Sequence, residues 1–349
     1  MHHELQRQAT RMTVLETHYD QALHDQIRAL AKERNAVILA HNYERPEIQD
    51  VADYVGDSLG LSREAARTDA DVIVFCGVHF MAETAAILSP QKVVLLPDLA
   101  AGCSLASTIN ADQLRAWKSE YPDAVVVSYV NTTAEVKAET DYCCTSGNAV
   151  EVINAIPADR TILFCPDMFL GAHVKRVTGR ENIIVWMGEC HVHAGIDPEH
   201  INHMRAEHPD AEFLVHPECG CSTSVLDAVS SGAVSSRQLQ ILSTEGMIKR
   251  PAQSEAQEFI VATEIGILHR LRGENPTKVF HAANDKASCA YMKVTTLPKV
   301  LRALEHMEHR ITVPADIAAR AKLAIDRMVA IGGTQPAPPL AGDTADPGE

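Results

Sequence analysis

No apolar stretch in this 349-residue chain approaches the ~20 residues a helical membrane span needs, so no membrane partner is expected. Positive charge is also scarce. Lys and Arg number 31 against 46 Asp and Glu, a net charge of −15, which disfavours a sequence-independent grip on nucleic acid or anionic lipid. The opening residues are polar and carry no signal-peptide core, so a cytoplasmic location is expected. Neither GxxxxGK[ST] nor GxGxxG occurs, which leaves nucleotide binding without support. There is no compact C-x₂-C-x₂-C run of the ferredoxin type and no C-x₃-C-x₂-C of the radical-cluster type.

What remains is a chain of ordinary globular composition, 46% hydrophobic and 22% charged, long enough for several domains. Its nine cysteines are 76, 103, 143, 144, 165, 190, 219, 221 and 289. A full disulfide framework is a poor explanation in a reducing compartment, so burial and metal ligation are the two readings to weigh. The stretch Ile183–His193, IIVWMGECHVH, frames that choice. An apolar run of strand type stops at Gly188 and delivers Glu189, Cys190, His191 and His193 to a sheet edge. In α/β folds the carboxyl edge is where chemistry collects.

An internal repeat decides in favour of function. Strand-like runs end at His41, Tyr129 and His216, 88 and 87 positions apart. A turn hydroxyl follows each: Ser58 and Ser146 at offset 17, Thr244 at offset 28. The longer third offset places extra residues in the Gly- and Ser-rich segment Gly220 to Ser236. Second strands end at Cys76, Cys165 and Ala262, and third strands run Lys92–Pro97, Asn182–Trp186 and Lys278–His281. Cys103, Cys190 and Cys289 then stand 27, 25 and 27 positions beyond the second-strand ends. Regular strand spacing is common to all α/β chains; the same residue types at the same four points are not. The predicted fold is three similar three-layer α/β domains with parallel sheets around a pseudo-threefold axis. The expected boundaries are a leader 1–24, domains 25–115, 116–200 and 201–331, the last carrying C-terminal helices such as Ala315 to Ile331, and a disordered tail 332–349 rich in proline and glycine.

If the domains meet at an axis, Cys103, Cys190 and Cys289 converge. Three thiolates suit a [4Fe–4S] cluster or a zinc ion, with His193 or His191 as fourth zinc ligand. In the cluster, one iron would lack a protein ligand and could act as a Lewis acid in dehydration. His41, Tyr43, His193, His216 and Glu218 would face the same space as acids and bases. Ser58, Ser146, Thr244, Tyr129 and Asn131 offer neutral hydrogen bonds to carboxylate or phosphate oxygens. His79, His173, His203 and His208 are read as structural, and Cys143 and Cys144 as packing. Cys219-Gly-Cys221 could bind metal, form a redox pair or be incidental.

The segments AHNY (40–43), GDSL (56–59), GCSL (102–105), SYVNTTAEVKA (128–138), TSGNAV (145–150), GECHVHAGI (188–196), HPEC (216–219), LSTEGMI (242–248) and NDKASCAYMK (284–293) together resemble the quinolinate synthase family of NAD biosynthesis. The resemblance runs from residue 36 to about residue 330. It implies condensation of iminoaspartate with dihydroxyacetone phosphate to quinolinate, phosphate and water, with the open iron of a [4Fe–4S] cluster as Lewis acid. A transient contact with the enzyme that makes iminoaspartate is part of the same expectation. Position by position, Cys103, Cys190 and Cys289 match the cluster ligands. His41, Ser58, Tyr129, Val130, Asn131, Ser146, His216, Pro217, Glu218 and Thr244 match substrate-binding positions. Tyr43 and Glu218 match acid–base residues, and His193 a polar residue by the cluster. The additional cysteines that some members carry around the third ligand are missing from ASCAYMK, which argues against a redox switch there.

Overall fold

The computed structural model describes residues 21–222 and 238–331. Most of the leader, the tail and most of the Gly220–Ser236 segment lie outside the described residues. Among the described residues, twelve strands form three four-stranded sheets, every strand pairing within them parallel. The first holds β1 (Ala36–His41), β2 (Tyr54–Gly56), β3 (Val72–Cys76) and β4 (Val93–Leu95). The second holds β5 (Val125–Tyr129), β6 (Tyr142–Cys144), β7 (Ile162–Cys165) and β8 (Ile183–Val185). The third holds β9 (Glu212–Val215), β10 (Leu239–Ile241), β11 (Glu258–Ala262) and β12 (Val279–Ala282). Each sheet has the same order, in which the unit's second strand lies outermost beside the first: β2-β1-β3-β4, β6-β5-β7-β8 and β10-β9-β11-β12. These are three similar α/β domains.

The register repeats as well. Ala40 faces Cys76, Ser128 faces Cys165 and Val215 faces Ala262, one residue before the strand ends picked out in the sequence. The inner strands are apolar runs because helices cover both faces: β3 and β5 are buried at every residue. One hydrophobic core joins the units, with Leu39 and Phe75 from the first, Val127 and Phe164 from the second and Leu214 and Phe259 from the third.

Helices flank the sheets. The first runs over 21–33, starting inside the expected leader and ending before Asn35, whose φ of 47° is in the left-handed region asparagine tolerates. Helix His79–Leu88 follows β3, and helix Ile267–Glu274 follows β11. Of the C-terminal helices, Leu297–His306 packs beneath the first sheet through Leu297, Val300 and Leu304. Helix Ala315–Ala330 bridges the first two units. Asn148 donates to Met328 O at 2.9 Å, and Arg63 donates to Val329 O at 3.1 Å. No helix among the described residues is long and apolar enough to cross a membrane.

Candidate active site

The carboxyl edges of the three sheets open onto one cavity. His41 ends β1, Tyr129 ends β5 and His216 follows β9, and all three line it. So do the three hydroxyl residues Ser58, Ser146 and Thr244, and the three cysteines Cys103, Cys190 and Cys289. Tyr43, Asn131 and Glu218 line it too, each two residues past its strand-end marker. The domains therefore contribute matched sets. Val130 and Pro217 are buried but are not among the lining residues; Val130 donates its N–H to Cys144 O at 2.8 Å and so holds the strand exit.

Local structure explains the hydroxyl positions. Ser58 and Thr244 are the first residues of helices Ser58–Arg67 and Thr244–Gln253. Their caps, Asp57 and Ser243, accept from Gly60 N and Gly246 N at 2.8 and 3.2 Å. Two helix amino termini, which favour anions, thus open at the cavity. Asn131 adds a buried side-chain oxygen with no partner of its own.

The strand-end histidines share one device. Nδ1 of His41 accepts from Tyr43 N at 3.2 Å, and Nδ1 of His216 accepts from Glu218 N at 3.4 Å. An accepting Nδ1 leaves the proton on Nε2, which His216 offers to Ser146 Oγ at 3.1 Å. Burial keeps both rings neutral: His41 is lowered to about 3, and His216 well below its ordinary range. His193 is likewise lowered to about 3 by burial. Its ring stacks on His216 with centroids 4.9 Å apart, and its Nδ1 lies 3.3 Å from Cys190 Sγ and 3.4 Å from Glu218 Oε2.

Glu218 is the hub of this network. Tyr129 donates its hydroxyl to Oε1, and burial, reinforced by the charge of Asp167, pushes the carboxyl well above its usual range. Tyr43 is held by Thr244 Oγ1 at 3.0 Å and Thr263 Oγ1 at 2.6 Å, and burial keeps its phenol protonated. Thr263 also meets His193 Nε2 at 2.8 Å, so one hydroxyl ties the two rings together.

Sequence reasoning missed Thr263, Glu264 and Asp167. Glu264 fixes the third cysteine by accepting from Cys289 N at 3.0 Å, and meets Lys293 Nζ at 3.0 Å. The available signal was position: Asp167 and Glu264 both stand two residues past a second-strand end, where the first unit has Val78.

Cys103, Cys190 and Cys289 are free, half-buried thiols. Burial raises all three, Cys103 to about 12. Such thiols stay protonated unless a cation joins them, and a coordinated thiol gives up its proton. The donor set fits a metal centre. Cys190, His193 and Glu218 also place one ligand atom each within 4.8 Å of the others. The remaining cysteines are elsewhere: Cys76, Cys143, Cys144 and Cys165 are buried, and Cys219 is disulfide-bonded to Cys221.

The profile of the family described as "Quinolinate synthetase A protein" matches residues 25–330, which takes in all three sheets and every residue placed at the cavity. The chain belongs to the quinolinate synthase family. It is 59% identical over 307 residues to the quinolinate synthase of Mycobacterium sp. (strain KMS), covering 88% of this chain and 91% of that protein. The quinolinate synthase of Thermus thermophilus is 57% identical over 312 residues, with 89% and 98% covered. That of Mycobacterium tuberculosis (strain H37Rv) is 58% identical over 307 residues, with 88% of each covered. Within this quinolinate synthase family member, the site has contributions from each domain and is complete in none.

Proposed function

We propose that this chain condenses iminoaspartate with dihydroxyacetone phosphate to give quinolinate, phosphate and two waters, with Cys103, Cys190 and Cys289 holding a [4Fe–4S] cluster. One observation carries the reading: three cysteines from three equivalent domains line a single cavity together with three hydroxyls and three strand-end groups. Held by Cys103, Cys190 and Cys289 alone, such a cluster would keep one iron free of protein ligands and would supply Lewis acidity for loss of water.

The chain's own residues account for binding and proton movement. Both substrates are anionic, and the cavity meets them with neutral donors rather than lysines. Ser58 and Thr244 at helix amino termini, Ser146, and the Nε2–H of His41 suit carboxylate and phosphate oxygens. Asn131 and Tyr129 orient the same groups. Tyr43, protonated and fixed by Thr244 and Thr263, acts as a general acid. Glu218 takes and returns protons through Tyr129 and His193, since burial raises its carboxyl and makes it a stronger base than an exposed one. His193 links this relay to Cys190 and orients it.

The deciding experiment is quinolinate formation from the two substrates by anaerobically prepared protein. Turnover should accompany about four irons and four sulfides per chain. Brown, four-iron protein that forms no quinolinate would refute the reaction. A second reading has its own observation, the compact Cys190–His193–Glu218 group, which suits zinc and a hydrolytic or aldol reaction. It requires colourless protein whose activity survives air, is lost to chelation and does not depend on Cys103 or Cys289.

A further inference from the structure

A second cluster of ligating side chains lies at the opposite edge of the third domain. His208 follows helix Pro198–Glu207, Glu258 opens β11, and His281 lies on β12 opposite Ile260. Along β11, Glu258 is roughly 15 Å of extended chain from Thr263 at the cavity. Nδ1 of His208 and Nε2 of His281 both meet Glu258 Oε1 at 2.8 Å. The two imidazoles stack with centroids 4.1 Å apart. Among the described residues, these histidines are the ion partners of Glu258, with no lysine or arginine competing for the carboxylate.

We propose that His208, Glu258 and His281 form a surface site for a divalent first-row transition-metal ion. One ligand atom from each lies within 4.8 Å of the other two, near enough for small side-chain movements to close all three on one small ion. Different ring nitrogens from separate elements point at one oxygen, so tertiary convergence rather than local spacing makes the set. Two imidazoles and a carboxylate are a borderline-hard set preferring zinc, nickel or copper, unlike the thiols of the cavity. The partial exposure of all three leaves room for water to complete the coordination. The ion would clamp helix Pro198–Glu207 to β11 and β12.

The test uses the full chain with its cluster loaded, dialysed against micromolar zinc chloride. Elemental analysis should find one zinc per chain that His208→Ala and His281→Ala each lose, with iron content and turnover unchanged. Glu258→Gln, which keeps the side-chain shape, should weaken retention as well. Zinc K-edge absorption of the unmutated protein gives an independent readout, with N/O neighbours at about 2.0–2.1 Å expected and no sulfur near 2.3 Å. No bound zinc, a sulfur ligand, or equal uptake by the histidine variants would overturn the site.

Discussion

Glu218 is buried to 2% exposure and lies within reach of Tyr129, His193 and His216, so its chemistry rests on carrying a proton rather than a charge. Glu218→Gln retains the shape and the hydrogen-bonding capacity but cannot exchange that proton. Turnover should fall by about 10²–10⁴-fold while iron content and cluster absorbance persist. A near-normal rate would remove Glu218 from the acid–base role. Asp167 is another buried carboxyl of the site, raised by burial from 3.8 to about 7. A carboxyl raised on folding stabilises the fold below its unfolded value, and that contribution is lost as pH climbs through about 7. Asp167→Asn keeps the cap on helix Met168–Thr178, because asparagine caps as well as aspartate. Urea unfolding of the cluster-free chain should therefore show the variant more stable at pH 8 by on the order of 1–3 kcal/mol, with the difference vanishing toward pH 4. Glu218, whose carboxyl the Asp167 charge helps to push up, adds to the difference with the same sign, whereas His41 and His193 titrate alike in both proteins and cancel from the comparison. Identical pH slopes for the two would contradict this account of Asp167.

The element that delivers Cys190 depends on a close approach at Gly188. A Cβ there would sit 2.4 Å from Pro166 O and 2.4 Å from Thr108 Oγ1. Gly188 also bridges Asp167 in parallel, with Met168 N donating to Gly188 O at 2.8 Å. The chain beyond β8 is thus clamped between two neighbouring segments before it releases Cys190 as the cap of helix His191–Ala194. Gly188→Ala must push these segments apart. We expect a folded protein, less stable by about 1–3 kcal/mol, that retains much less iron than the unmutated chain. Iron per chain and the urea midpoint report the two effects separately. Full iron retention would show that the close approach does not position the cysteine.

For the whole molecule, each domain brings one cysteine to the cavity, so under the proposed cluster none of the three can stand in for another. Cys103→Ala, Cys190→Ala and Cys289→Ala should each abolish the cluster absorbance. Cys76→Ala and Cys165→Ala should keep it, because both thiols are fully buried at inner-strand ends. Loss of the cluster from Cys165→Ala with retention in Cys190→Ala would mean that the repeat had been aligned wrongly.

The sequence alone was enough to specify the fold class and the matched markers. Uninterrupted apolar runs require parallel strands covered on both faces, and spacings of 88 and 87 residues mark equivalent strand ends. Residue type likewise marked Cys103, Cys190 and Cys289, because thiols at one repeat position are rare by chance. Tertiary structure decided which side chains touch. Thr263 links Tyr43 to His193, and Glu264 pins Cys289, through contacts between segments far apart in the chain. It also gathered His208, Glu258 and His281, although His208 alone reads as a structural histidine. The physical reason is that strand pattern records burial along the chain, one residue at a time. A site made where three sheets meet depends on distances between chains of atoms that no local pattern encodes.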